Sequence, residues 1–478
     1  MSSFKVTDAD GQTGQLCNWI DQVTLDDIPE ELQTRAKYLI LDGIACALVG
    51  AHLPWSEKAV RAISELEPNG TSSVFGWAMN VTPLSAALLN SSFIQGFELD
   101  DWHSEAPLHS NSIILPALFA AGQHLGTSNT KTSGKSFILA YLIGLEVGPR
   151  VGQALYGADM LSRGWHSGAV FGPAASAAAV SKLMNLPAGQ IEDALGSACT
   201  QACGLMSAQF ESDVKRMQHG FAARNGLLAA MLARSGYVGI KRVFEQEYGG
   251  FLTMFGQGSQ KEPPYRVDEI SKGLGTEWKT NGVRVKPYAS MAGTHPTVDC
   301  VRKLQEGHPE KMKQLDRITS IVLELREATY HHGGWEAKRH LRAIGAQMSN
   351  TYICATQLVD GEVLPAQFRN QKLERDEVWD LVDKSTCRNM GKSNPMRQKV
   401  TIAFDDGTEL VAEVEAAKGV DPPLTNEEIV DKWRKITVEV IDRERMEKIE
   451  KTCLGLESLE DITVLEELLR GITKNPIA

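Results

Sequence analysis

The sequence has less positive than negative charge. Its 478 residues contain 60 Asp and Glu against 49 Lys and Arg, so the formal net charge at pH 7 is −11. An acidic surface repels the phosphates of nucleic acids and of anionic lipids. We therefore expect neither a nucleic-acid nor a membrane partner, and an anionic substrate would need a local cationic site.

Long apolar runs are also missing. No apolar stretch reaches the roughly 18 residues that a membrane-spanning helix needs. The N-terminal stretch MSSFKVTDADGQTGQL has acidic and polar residues where a signal peptide has a basic start and an apolar run. These features predict a cytoplasmic protein.

Cysteine is scarce and scattered. Most of the 8 cysteines stand inside apolar segments such as GIACALVG and YICATQL, as is typical of buried thiols in a reducing compartment. Cys199 and Cys203 are four residues apart, but no third cysteine is near them in sequence, so an iron–sulfur cluster is unsupported. The chain also lacks a G-x-G-x-x-G stretch after a strand, a Walker loop and a G-x-S-x-G elbow, which argues against dinucleotide, nucleotide and α/β-hydrolase functions.

Helical periodicity fills the first half of the chain. Runs such as TPLSAALLNSSFIQGF and AVFGPAASAAAVSKLM have helical length and many small residues. Small residues let helices approach closely. This half therefore predicts a compact, all-helical domain.

The pattern changes near residue 282. RITSIVLEL and RQKVTIAF are β-branched runs of strand length, and VTIAFDDGTELVAEV predicts a hairpin around Asp-Asp-Gly. Helical segments such as HPTVDCVRKLQEG and RDEVWDLV alternate with these strands. After GVDPPLTNEEIV, where Thr425 or Asn426 would cap a helix, the chain turns helical again. The predicted fold is mainly α, with a large helical domain (1–281 and 421–478) and an inserted, smaller α+β domain (282–420).

The stretch ELDDWHSEAPLHSNS combines acids and histidines just before an apolar run. Its acid/base side chains are Glu98, Asp100, Asp101, His103, Glu105 and His109. They suit general acid/base catalysis, and carboxylates with imidazoles also suit a metal. However, the His-x5-His spacing matches no short zinc motif, and we predict no metal. The third interpretation is a polar loop before a helix that begins near Ser110, with Ser110 or Asn111 as its N-cap.

Three further segments carry basic residues. In RGWHSGAVFG, His166 stands at the mouth of a helix, where backbone N–H groups favour an anion, although a lone histidine there is often only a structural hydrogen-bonding group. In DVKRMQHGFAARNG, Lys215 and His219 would share a helix face with Arg216 to the side, or this would be a solvated basic face. In VRVKPYAS, Lys286 falls where the two patterns meet, the expected place of a domain cleft.

A fourth segment, ATYHHGGWEAKRH, follows a predicted strand and carries Gly, His and Arg residues. Loops positioned by a rigid scaffold often carry binding residues. We expect this segment to be a loop that forms a mobile wall of the site.

In this order, the stretches ELDDWHSEAPLHS, RGWHSGAVFG, SACTQACGLMSAQ, VKRMQHGFAARNGLLAA and KPYASMAGTHPTVD resemble the MmgE/PrpD family over nearly the whole chain. This family includes 2-methylcitrate dehydratases and cis-aconitate decarboxylases. Runs such as AKYLILDGIACALVGA and HSEAPLHS are most similar to its fungal decarboxylases. The resemblance implies a helical domain formed by both ends of the chain, an inserted α+β lid, an active site between the two, a homodimer, and no cofactor.

The resemblance also transfers site residues by position. The residues that match the basic active-site residues of the family are His109, His166, Lys215 and Lys286. Glu98 stands where many relatives have Asp, and Trp102 where Thr is common. His332 lies near the position of a family tyrosine, and Met291 where some decarboxylases carry His.

The expected reaction is the conversion of cis-aconitate, a tricarboxylate, to itaconate and CO2. We expect His109 to donate the proton, His166 to bind a carboxylate or act as the alternate acid, and Lys215 and Lys286 to stabilise the anionic intermediate. Arg216 and His219 are weaker candidates for that last role. Asp100 or Asp101 would orient a histidine, and His103 would support the site.

Two alternatives remain. The same residues would serve a dehydratase acting on 2-methylcitrate or a longer alkylcitrate. A catalytically silent helical interaction protein is the third hypothesis, but it would be favoured by loss of the basic residues, and these are present.

Overall fold

The computed structural model describes residues 4–67, 70–209, 212–392 and 397–478. The secondary structure is mainly α-helical, as predicted. The chain divides into two compact units. The first comprises Met1–Gly96, Asp100–Arg284 and Asn426–Lys474, and the second comprises Phe97–Leu99, Val285–Thr425 and Asn475–Ala478.

Most of the first unit is helical. Its helices are α1 (Gln12–Gln22), α2 (Glu30–Gly50), α3 (Pro54–Leu66), α4 (Pro83–Ile94), α5 (Ser110–Gly126), α6 (Gly134–Ala154), α7 (Asp159–Ser162), α8 (Ser167–Leu183), α9 (Ala188–Cys199), α10 (Gln218–Arg234), α11 (Phe251–Gly256), α19 (Asn426–Thr437), α20 (Arg443–Leu454) and α21 (Thr463–Leu469). Two small antiparallel pairs accompany them, formed by β1 (Ser72–Val74) with β2 (Met79–Val81) and by β3 (Trp102–His103) with β4 (Val283–Arg284).

The second unit combines helices with one sheet. Its helices are α12 (His295–Gly307), α13 (Pro309–Met312), α14 (Glu327–Gly333), α15 (Ala343–Met348), α16 (Asn350–Asp360), α17 (Asn370–Leu373) and α18 (Asp376–Asp383). Its strands are β5 (Ile318–Leu325), β6 (Ser385–Asn389), β7 (Gln398–Phe404) and β8 (Glu409–Val414), in the order β6-β5-β7-β8. The β5–β6 pair is parallel, whereas β7 is antiparallel to β5 and β8.

The hairpin predicted around Asp-Asp-Gly is confirmed. Strands β7 and β8 pair in register, with Val400 opposite Ala412, and the N–H of Phe404 donates to the Thr408 carbonyl at 2.9 Å across the turn. Buried and half-buried residues alternate along β7, the pattern of a strand with one face on the core. Helix α12 packs against both strands and covers that face.

Helix α8 lies at the centre of the first unit and packs against α5, α6, α9 and α10. Its small residues allow this. A Cβ at Gly172 would come within 2.8 Å of both Ala222 Cβ and Ile113 Cδ1. The backbone of α8 therefore lies directly against side chains of α10 and α5. Close packing of this kind fixes where the first turns of the three helices lie.

A proline inside α8 leaves a helix carbonyl that accepts a hydrogen bond from a neighbouring loop. Pro173 has no N–H, so the carbonyl of Ala169 lacks its usual helical donor. The backbone N–H of Cys203 donates to that carbonyl at 3.4 Å, and the N–H of His166 donates to the Gly204 carbonyl at 3.2 Å. The loop that carries Cys203 and Gly204 is therefore fixed beside the start of α8.

A buried ion pair joins the C-terminal segment to the N-terminal helices. The ammonium of Lys432 in α19 lies 2.5 Å from a carboxylate oxygen of Asp42 in α2, and both side chains are buried. Burial lowers the pKa of Lys432, but Asp42 outweighs this effect and the net pKa is raised. Burial also raises the pKa of the Asp42 carboxyl, and the ammonium of Lys432 opposes that effect.

Among the described residues, no single helix is both long and apolar enough to cross a membrane. One bent pair, Glu30–Gly50 with Pro54–Leu66, meets the length and composition criteria when its two helices are taken together.

Candidate active site

Helix α5 begins where the sequence predicted, but its cap differs from the prediction. His109 occupies the N-cap position, and the Asp101 carboxylate accepts hydrogen bonds from the backbone N–H groups of Ser110 at 3.1 Å and Asn111 at 3.0 Å. The expectation that Ser110 or Asn111 is the N-cap was therefore wrong. The cap comes from earlier in the chain, which a search for local capping residues does not detect. Burial, and then the neighbouring charge of Asp100, raise the pKa of the Asp101 carboxyl.

Asp100 orients His109. The Oδ2 atom of Asp100 lies 2.9 Å from His109 Nδ1. Asp100 is fully buried, whereas the His109 side chain is 23% exposed. An ionised carboxylate only accepts hydrogen bonds, so Nδ1 carries the proton of this contact and Nε2 is the ring nitrogen on the other side from Asp100. The sequence suggested that Asp100 or Asp101 would orient a histidine, and Asp100 makes this contact.

Three histidines lie together at the starts of three long helices. His109 and His166 are the N-cap residues of α5 and α8, and His219 is the second residue of α10. The ring of His219 lies 4.9 Å from the ring of His109 and 5.0 Å from that of His166. The N-terminus of a helix carries partial positive charge and unsatisfied N–H groups, so this arrangement favours an anion.

Lys215 and Arg216 add positive charge just ahead of α10. They lie in a separate 3-10 helix, Asp213–Arg216, and α10 itself begins at Gln218. The predicted shared helix face of Lys215 and His219 is therefore wrong. The alternative of a solvated basic face is also wrong, because both cations are buried. The guanidinium of Arg216 donates to the Gln95 carbonyl at 3.3 Å and lies 5.7 Å from the ring centroid of Trp55.

His103 has a structural role. Its Nε2 lies 2.9 Å from the Lys279 carbonyl, and its Nδ1 accepts from the backbone N–H groups of Glu105 at 3.3 Å and Ala106 at 3.2 Å. Both ring nitrogens are thus used in the neutral form, and burial lowers the pKa of His103 to about 4. Its neighbour Trp102 pairs with Arg284 in the β3–β4 ladder and is half-buried.

The second unit contains its own buried acid–base pair. The ammonium of Lys286 lies 3.3 Å from Glu98 Oε2, and both side chains are buried. Glu98 has a backbone φ of +57°, a left-handed conformation that is unfavourable for a residue other than Gly, Asn or Asp. Strain of this kind persists where the surrounding structure enforces it, and it is common at functional sites.

The segment predicted as a loop around His332 is partly helical. Residues Glu327–Gly333 form helix α14, and His332 is exposed on it. The prediction of a loop is therefore wrong for this part of the segment. A Cβ at Gly333 would come within 2.7 Å of the Met291 methyl group, so α14 packs against Met291.

Two residues of the histidine group were missed by the sequence analysis. The Ser112 hydroxyl lies 2.9 Å from the His109 carbonyl and 2.8 Å from His219 Nδ1. Gly168 lies against the His219 ring, where a Cβ would come within 2.1 Å of Nε2. The signal for Gly168 was its place two residues after His166 in a helix that is otherwise rich in alanine.

The same group offers a possible metal site. One ligand atom from each of Asp100, His109 and His219 lies within 4.8 Å of the others. However, the hydrogen bond between Asp100 and His109 uses a proton on Nδ1 that ligation through this nitrogen would displace. The absence of a metal stays a prediction.

The comparisons with known proteins place the whole chain in one family. Models of the MmgE/PrpD N-terminal domain and of the MmgE/PrpD C-terminal domain match residues 14–263 and 288–456. The chain therefore belongs to the MmgE/PrpD family, as its sequence motifs indicated.

Individual relatives match over nearly the full length. The chain is 49% identical to "Cis-aconitate decarboxylase-like protein oryM" of Aspergillus oryzae, over 96% of this chain and 97% of the relative. It is 47% identical to "Cis-aconitate decarboxylase" of Aspergillus terreus, over 98% and 97%. A human protein, also named "Cis-aconitate decarboxylase", is 27% identical over 93% and 91%.

Proposed function

We propose that the protein is a carboxy-lyase that converts cis-aconitate to itaconate and CO2. The observation that carries this proposal is the 47% identity, over 98% of the chain, to a protein named as a cis-aconitate decarboxylase. The three histidines of the first unit and its buried cations Lys215 and Arg216 support it, because such groups suit an anion that must be protonated.

The reaction needs stabilisation of negative charge and delivery of one proton. The C–C bond to the carboxylate of the CH2 group breaks and CO2 leaves. The electron pair moves through the C=C bond toward the carboxylate at its far end, which gives a dienolate-like anion. One proton then adds to the former vinyl carbon. The conjugated carboxylate of the substrate itself accepts the electrons, so we propose that no cofactor or metal takes part.

His109 is the proposed proton donor. Asp100 holds its Nδ1 at 2.9 Å, so that the ring presents Nε2 for proton transfer. A carboxylate beside an imidazole also stabilises the protonated form that a donor needs. His166, at the N-cap of α8, is proposed to bind a substrate carboxylate or to act as the alternate acid.

Fixed positive charge would stabilise the anionic intermediate. Lys215 and Arg216 are buried in front of α10, and their charge adds to the N-terminal ends of three helices. Charges that are already in place cost no reorganisation when the intermediate forms. We propose that Lys286, paired with Glu98 in the second unit, also stabilises the anionic intermediate.

The remaining proposals concern the whole molecule. We propose that the α+β region, residues 282–420, is inserted into the helical domain and acts as a lid, and that the protein is a cytoplasmic homodimer. A lid would exclude water from the carbanion-like intermediate until it is protonated at carbon. Size-exclusion chromatography with light scattering tests the dimer.

The deciding experiment is a product assay. Purified protein is incubated with cis-aconitate, with and without EDTA, and the products are followed by NMR together with CO2 release. We expect itaconate and CO2 at equal rates in both samples. If the protein instead dehydrates 2-methylcitrate or another alkylcitrate and releases no CO2, the decarboxylase proposal is wrong.

A further inference from the structure

His219 has a distinct place in the histidine group. Its side chain is 0% exposed. Its ring centroid is 4.9 Å from that of His109 and 5.0 Å from that of His166. It is therefore the histidine that adjoins both the proposed proton donor and the proposed carboxylate-binding residue.

Ser112 determines which nitrogen of His219 carries the proton. A serine hydroxyl has a single hydrogen. The Ser112 Oγ lies 2.9 Å from the His109 carbonyl, which only accepts, and 2.8 Å from His219 Nδ1. Both contacts are hydrogen bonds when the hydroxyl donates to the carbonyl and the Nδ1–H of His219 donates to the hydroxyl. In the neutral ring, Nε2 then carries the lone pair.

Gly168 provides the space for the other edge of the ring. A Cβ at this position would lie 2.1 Å from Nε2 and 2.5 Å from Cδ2 of His219. These distances are far below van der Waals contact, so a larger residue would displace the ring. Gly168 is the second residue of α8, directly after the N-cap His166 and Ser167. The Nε2 edge of His219 therefore faces the first turn of that helix.

We infer that His219 is a positioning residue, held by the Ser112 hydroxyl at Nδ1 and by Gly168 at Nε2, that fixes the rings of His109 and His166. This inference rests on the proposed function for its catalytic consequence. A fixed ring beside both histidines leaves them little freedom to turn away from the substrate.

Two substitutions separate the roles of the two nitrogens. The amide of Asn places a nitrogen near the position of Nδ1, whereas the amide of Gln places it near Nε2. We expect His219→Asn to keep kcat within about tenfold of the wild type and His219→Gln to lower it about a hundredfold, because misplacement of reacting groups has effects of this order. KM for cis-aconitate should change less than about threefold in both, since His219 orients other groups and does not bind substrate.

The pH–rate profile distinguishes positioning from proton transfer. Both limbs of the profile should persist in His219→Asn, because the groups that exchange protons remain. A profile that loses one limb would make His219 itself the acid or base and would overturn the positioning role. Wild-type kcat in His219→Gln would also overturn it.

A stability measurement tests the geometry without the reaction. Gly168→Ala should lower the free energy of unfolding, and the same change in a His219→Ala background should be tolerated, because the ring that it displaces is gone. Gly122→Ala in α5 is the matched control, because the atom nearest to a Cβ at Gly122, Thr132 Oγ1, would be 3.6 Å away. If Gly168→Ala and Gly122→Ala are equally stable in the wild-type background, the inference is wrong.

The tautomer can be observed directly. In protein labelled with 15N-histidine, the imidazole signals that disappear in His219→Asn belong to His219. We expect the shift of a protonated Nδ1, and an Nδ1 without a proton would overturn the inference. If these structural results hold while the wild type releases no CO2 from cis-aconitate, the proposed function fails and the assignment of His219 as a fixed ring protonated at Nδ1 stands.

Discussion

Replacing Asp100 by Asn removes a buried negative charge from His109 with almost no change in shape. The atoms in contact are 2.9 Å apart, which puts the two charge centres about 4 Å apart, and at an effective dielectric constant near 20 this interaction is worth about 4 kcal/mol. Because the His109 side chain is 23% exposed, solvent screening reduces this value. A loss of about 2 kcal/mol in the attraction between Asp100 and a positive charge on the ring remains.

The expected effect on turnover follows from this value. A loss of about 2 kcal/mol in the transition state corresponds to roughly thirtyfold in rate. The Asn amide can also donate to Nδ1, which would place the ring proton on the wrong nitrogen. We therefore expect Asp100→Asn to lower kcat for CO2 release about a hundredfold or more.

The neighbouring acid gives a matched control. Asp101 is equally buried but caps α5 and makes no described contact with an imidazole. Asp101→Asn should lower the free energy of unfolding by about 1 kcal/mol, the usual contribution of a helix cap, and should change kcat far less than Asp100→Asn. The reasoning is refuted if Asp100→Asn retains kcat within about threefold of the wild type, or if the two variants lose activity equally.

Three further predictions concern catalysis and stability. His109→Ala and Lys286→Ala should each lower kcat for itaconate formation about a hundredfold or more, as loss of a general acid or of a charge-stabilising group does; near-wild-type turnover would remove that residue from the mechanism. Lys432→Met should destabilise the fold by about 3–5 kcal/mol in urea unfolding, because Asp42 is left buried and uncompensated, and Asp42→Asn in the same chain should restore part of the loss. The pKa of His103 is about 4 in the fold against about 6.5 unfolded, so the unfolded state binds more protons and stability should fall as the pH drops from about 6.5 to 4. That fall should shrink in His103→Gln, and an identical pH dependence in this variant would contradict the prediction.

Local sequence patterns were sufficient to predict several elements of the second unit. The β7–β8 hairpin follows from two alternating strands around Asp-Asp-Gly, and α12 has the bounds of the apolar period in HPTVDCVRKLQEG. Both signals lie within about a dozen residues of sequence, where strand alternation and helical spacing act directly.

The errors occurred where local patterns are ambiguous. Ser212 accepts a hydrogen bond from the Val214 N–H, as an N-cap does, but the turn it starts is a 3-10 helix that ends at Arg216. Over four residues the sequence does not distinguish this turn from the first turn of α10. The glycines of ATYHHGG suggested a loop for the same reason, although Gly333 is the last residue of a short helix.

The arrangement of the histidines could not be read from the sequence. Helix packing alone brings together His109, His166 and His219, which are far apart along the chain. The ring of His219 lies about 5 Å from each of the other two rings. The family resemblance indicated His109 and His166 as site residues. It left His219 a weaker candidate for charge stabilisation, whereas the structure places its ring beside both of the others.

The small residues of α8 connect the core to the proposed chemistry. Gly172 lets α8 approach α5 and α10 closely, and Gly168, one turn earlier on the same helix, leaves room for the His219 ring. Close packing of the three helices brings their N-terminal ends together, and those ends carry the three histidines. An alanine at either glycine would separate helices or rings that the site needs close. The composition that identified this half of the chain as a compact helical bundle is thus also what allows three histidines and the starts of three helices to lie close together.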